Sequence, residues 1–133
     1  MNYYFSTKIK NKAFDEVVQK TIEALKQEGF GVLTEIDMKA TLKKKLDEDF
    51  YNYKILGACN PPLAFKALQA ENKIGTMLPC NVIVQEKEAG SVEISAVDPA
   101  ASMQAVKNDE LINIAETVRT KLQSVIQNLE REN

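Results

Sequence analysis

The sequence predicts an α+β fold: an antiparallel-rich sheet with helices on one face. Three observations predict it. Separate short segments alternate apolar and polar residues with the period of two expected of half-buried strands. Glu88-Ala89-Gly90-Ser91 divides the last two of these segments as a turn, which makes them a local hairpin. From Met103 onward the apolar residues recur at helical spacing against a polar opposite face.

The elements follow in order. Tyr3, Phe5, Thr7 and Ile9 alternate with Ser6, Lys8 and Lys10, which reads as a first strand. Asn11 is placed to cap a helix, with Asp15 and Glu16 near its positive end. Phe14, Val17, Val18, Ile22 and Leu25 form the helix's apolar stripe, and Gly29 is placed to end it in a left-handed conformation. Val32, Thr34, Ile36 and Met38 alternate with Leu33, Glu35 and Asp37 as a second strand, with Thr34 and Ile36 expected inside and the carboxylates solvated. Thr41 to Asp49 reads as a short helix carrying Leu42 and Leu46, followed by a strand through Tyr51, Tyr53, Ile55 and Gly57. Asn60-Pro61-Pro62 is a helix start, because Asn caps and Pro fits the first turn, where its missing N–H has no partner. That helix stops before Gly75, and Pro79 leads into a strand through Val82 and Val84. Val92, Ile94 and Ala96 complete the hairpin, and Val106, Leu111, Ile114, Val118, Leu122, Ile126 and Leu129 mark the last helix.

The 133 residues are read as a single domain, residues 1–133, long enough to bury a core without disulfide or metal support. A net charge of −2, from 17 basic and 19 acidic residues, gives no bulk attraction to nucleic acid or anionic membranes. No apolar run approaches the ~18 residues that span a bilayer, and no signal-peptide pattern opens the chain, so a cytoplasmic location is expected. In that compartment the two cysteines are expected as thiols. Histidine is absent, which excludes Ser-His-Asp and Cys-His catalysis within one chain and the usual His-containing zinc site.

The chemically suggestive residues are the cysteines, in Cys59-Asn60-Pro61 and Pro79-Cys80-Asn81. Cys59 ends a strand just before a helix N-terminus, where amide dipoles favour a thiolate. Cys80 opens another strand. If the strands are neighbours, the thiols can meet, exchange to a disulfide, hold a soft metal or retain a small molecule, with Asn60 and Asn81 orienting it. The plainer reading is that both cysteines are small packing residues and that Asn60 is simply a cap. Glu35 and Asp37 share a strand face and offer acid–base chemistry or a solvated edge. Lys39 and Lys43-Lys44-Lys45 offer an anion site or a solvated helix surface. No catalytic constellation is recognisable, so a binding role is favoured over an enzymatic one, and no cofactor is implied.

Ile55-Leu56-Gly57-Ala58-Cys59-Asn60-Pro61-Pro62-Leu63-Ala64, Ile74-Gly75 with Met77-Leu78-Pro79-Cys80-Asn81-Val82, and Gly29-Phe30-Gly31-Val32-Leu33-Thr34-Glu35-Ile36-Asp37 resemble the bacterial and archaeal family known as domain of unknown function 302. The resemblance runs from about Tyr4 to Leu129. It implies a β-α-β(4)-α fold of the TATA-binding-protein-like class and a homodimer, and it implies no activity. The order read above adds short helices to that scheme. The functional expectation is a small-molecule, soft-metal or redox site at Cys59, Asn60, Cys80 and Asn81. The rival is a homodimeric interaction module with no chemistry at the cysteines.

Overall fold

A computed structural model describes residues 2–132. The chain runs β1 (Tyr4–Lys10), α1 (Phe14–Gln27), β2 (Gly31–Asp37), α2 (Met38–Leu46), β3 (Asn52–Cys59), α3 (Pro61–Ala70), a 3₁₀ turn (Ile74–Met77), β4 (Cys80–Glu88), β5 (Ser91–Val97), α4 (Pro99–Ser102) and α5 (Asp109–Arg131). The strands form one antiparallel sheet in the order β1-β5-β4-β3-β2. Antiparallel sheets tolerate one solvated face, and here α1 and α5 cover only the other.

The covered face carries the core. Ile9, Leu56, Val82, Val84, Val92 and Ile94 are fully buried against Val17 and Leu25 of α1 and Leu122, Val125 and Leu129 of α5. Helix α5 is fixed at its N-terminus by Asn108, whose Oδ1 accepts from the N–H groups of Glu110 and Leu111. Midway, Arg119 donates from Nε to the buried Asp98 carboxylate at 3.2 Å and lies over the Phe5 ring.

Gly29 ends α1 at φ +86°, as expected, while the Phe30 N–H returns to the Leu25 carbonyl. Asn11 is not the cap of α1. It takes a left-handed turn at φ 63° and donates its N–H to the Gly90 carbonyl, and Ala13 stands at the cap position. Helix α2 starts earlier than expected because Asp37 caps it, accepting from the Ala40 N–H at 2.9 Å. The largest departure is in β2. Val32 opposes Ala58 and Thr34 opposes Gly57, so Leu33 is an extra residue and the strand is bulged. The bulge reverses the faces: Val32 packs on the core, whereas Thr34 and Ile36 lie on the open side, opposite to the expectation.

Candidate functional site

A cavity of about 310 Å³ lies where the end of the sheet meets α3 and α5. Its walls are almost wholly apolar. Small residues make the space: Ala64 and Ala67 from α3, Ala115 from α5 and Ala58 from β3. Phe30, Leu63, Met103, Leu111 and Val118 are among the larger residues around it. An alanine where a core position would carry leucine leaves volume unfilled, and facing alanines from two helices leave it in one place.

Helix α3 forms one wall because it is held at both ends. At its start Asn60 accepts from the Leu63 N–H at 3.4 Å and donates through Nδ2 to the Glu28 carbonyl at 3.3 Å. At its end Asn108 donates to the Ala70 carbonyl at 2.8 Å and to the Glu71 carboxylate at 3.3 Å. Asn60 is therefore the expected cap and also a strut to the end of α1. The close approach of its amide to Gly29 would crowd a side chain there, since a Cβ would stand 3.0 Å from Asn60 Nδ2, and φ +86° already favours glycine. Asn108 carries no sequence signal of this second role, because its partners lie 37 and 38 residues away.

The structure brings Cys59, Asn60 and Cys80 to one cavity and leaves Asn81 out. β3 and β4 are neighbours, as the expected meeting of the thiols required. The sulfurs nevertheless do not pair, and both cysteines are free. Cys80 stands across from Ala58, so Cys59 is one residue out of step and of opposite pleat parity. The same alternation puts Asn81 across from Gly57 on the open face. Among the described residues no group of three or more His, Cys, Asp or Glu side chains gathers to hold a metal.

Cys80 is 8% exposed. Burial, followed by the nearby Cys59, pushes its thiol up from the ordinary 9.0 to about 11. The neutral thiol is the form the fold favours. Its contribution to stability is present in full below pH 9.0 and is lost as the pH rises toward 11. Iodoacetamide at pH 8 is accordingly expected to leave Cys80 unmodified in the folded protein and to alkylate it in denaturant. Peptide mapping that finds Cys80 labelled without denaturant would contradict this burial.

The other candidates separate. Glu35 accepts from Lys54 Nζ at 3.0 Å, and that bond is the first cause holding the lysine above its ordinary value. The carboxylate is thereby committed to an edge ion pair. Lys43 pairs with Asp47 at 3.0 Å and Asp49 at 3.3 Å, so part of the basic cluster is neutralised on an exposed helix. Among the described residues no helix is long and apolar enough to cross a membrane.

Two findings relate the chain to known proteins. The family model described as "Domain of unknown function DUF302" matches residues 5–129. The crystal structure of an uncharacterized conserved DUF302 protein from Bacillus stearothermophilus superposes with a TM-score of 0.86. That protein shares 27% identity with this chain over 96% of this chain and 98% of that one. No curated protein matches.

Proposed function

We propose, for a chain that belongs to the DUF302 family, that it binds a small apolar molecule in the cavity between α3, α5 and the end of the sheet. The observation that carries this reading is the cavity itself, at about 310 Å³ within the range of ligand sites and walled by apolar groups, with Asn60 and both cysteines in its lining. A disulfide switch needs the sulfurs to face each other, and a metal needs more ligands than two thiols out of register supply. The neutral Cys80 thiol instead adds a soft, weakly polar surface to the wall. Free thiols suit the reducing cytoplasm expected from the sequence.

The test fills the space. Ala115→Phe places a ring in the cavity. It is expected to reduce binding of an uncharged fluorescent probe such as N-phenyl-1-naphthylamine by tenfold or more at unchanged circular dichroism. Ala64→Leu, a smaller filling from the opposite wall, is expected to act in the same direction. Probe binding that both variants leave unaltered removes the reading.

A homodimer is the second reading. Leu33, Phe65 and Leu68 are 66%, 64% and 44% exposed; Leu33 and Leu68 line the cavity, and Phe65 shares α3 with Leu68. Exposed apolar residues at one locus mark an association surface. Phe65→Ser is expected to shift the mass measured by light scattering from dimer to monomer. A monomeric parent protein ends this reading.

A further inference from the structure

The helix-free face of the sheet carries a second concavity, of about 450 Å³. Its floor is formed by Asn81, Ile83 and Gln85 of β4 and by Glu93, Ser95 and Val97 of β5. Tyr53 of β3 walls one side and Tyr3 and Tyr4 wall the other, with the Tyr3 and Tyr4 rings edge to face at 5.0 Å. Strands β1 and β3 are separated by β5 and β4 and so lie about 14 Å apart, three strand spacings. The space the tyrosines border is large enough for a flat ring system.

The floor is polar in a specific way. Ser95 is 7% exposed and lines the groove between Ile83 and Val97. Ser95 pairs in register with Ile83, and Gln85 pairs with Glu93. A hydroxyl, a carboxamide and a carboxylate therefore converge on neighbouring positions of one face. Glu93 also stands opposite Lys8 in the β1 register, so the charges on this part of the face balance. The Tyr53 phenol, a donor at neutral pH like any phenol, is raised further by burial first and then by Tyr51 and Tyr3.

We propose that this groove binds an uncharged planar heterocycle with N–H donors along one edge, of the purine-base type. Aromatic walls stack on a flat ring, whatever its substituents. The carboxylate of Glu93 accepts from ring and exocyclic N–H groups, and Gln85 and Asn81 offer both a donor and an acceptor. Guanine presents adjacent N–H and amino donors to such a carboxylate, whereas adenine presents one amino group. The charge balance suits a free base or nucleoside, in keeping with a chain whose net charge of −2 does not attract a polyanion.

Calorimetric titration with guanosine, adenosine and glucose tests this. Guanosine is expected to bind saturably, adenosine more weakly and glucose not at all. Tyr53→Ala is expected to weaken guanosine about tenfold or more, the loss of one stacking wall. Tyr53→Phe, which keeps the ring, is expected to stay within about threefold of the parent, and Ser95→Ala to lose about threefold to tenfold. Ala115→Phe, on the other side of the sheet, is expected to leave guanosine binding unchanged, so the fate of the apolar cavity is read separately. The proposal is overturned by the absence of saturable nucleoside binding at millimolar concentration, by glucose binding as well as guanosine, or by a folded Tyr53→Ala protein that binds like the parent.

Discussion

Leu122→Ala is expected to lower the free energy of unfolding by about 3 kcal/mol, within the range for a fully buried leucine, and the melting temperature by about 10 °C. Leu122 is fully buried in the stripe of α5 that packs over the sheet and α1. Truncation removes apolar contact and leaves a void, since the neighbouring helix and strands cannot all close on it. Ile112 on the same helix is largely exposed, and Ile112→Ala is expected to change stability by less than about 0.5 kcal/mol. Chemical denaturation of the pair measures the difference directly. Equal losses at the two positions would mean that α5 does not dock through this stripe.

Gly57→Ala is the second large effect, expected to destabilise by about 1–3 kcal/mol through overpacking. Gly57 lies in the middle of the sheet between Thr34 on β2 and Asn81 on β4. A Cβ there would run into Thr34 Oγ1 and would stand 2.8 Å from Pro79 Cγ. The threonine side chain can rotate, but the proline ring cannot withdraw without moving the strand. The backbone at Gly57 is not left-handed, so the loss comes from crowding alone. Thr34→Ala in the same chain is therefore expected to recover only part of it. Full recovery would show that the proline ring yields.

The elements that were legible in the sequence are those whose signals are local. Asn60-Pro61 marks the start of α3 because a cap and a first-turn proline act within three residues. Gly29 ends α1 because it stands where a left-handed residue is needed. Asn11 looked equally local, yet its backbone was recruited by Gly90 from the hairpin, a competition invisible along the chain. The faces of β2 were misread for a related reason. A period of two locates a strand but shifts phase with a single extra residue, and only the partner strand reveals that Leu33 is extra.

The placement of the candidate residues is partly legible. Cys59, Asn60 and Cys80, which the sequence groups by their shared neighbours, border one cavity. Asn81 adjoins Cys80 in the sequence, but adjacent strand residues point to opposite faces, and Asn81 stands on the open one. The space itself depends on alanines of two helices far apart in sequence, which carry no signal until α3 and α5 meet. The tyrosine groove was hidden in the same way. Tyr3, Tyr4 and Tyr53 each suited a strand, and their convergence depends on the order β1-β5-β4-β3.

The bulge at Leu33 makes β2 tolerant of a change in length. Removing Leu33 would leave Val32 opposite Ala58 and Thr34 opposite Gly57, the pairings already present, so the strand would gain regularity rather than lose its register. Leu33 nonetheless lines the apolar cavity while standing largely in solvent. One codon's worth of chain thus separates a hooded cavity from an unhooded one on an otherwise unchanged sheet. A chain shortened by Leu33 is expected to keep the strand pairings and to open the cavity at that point.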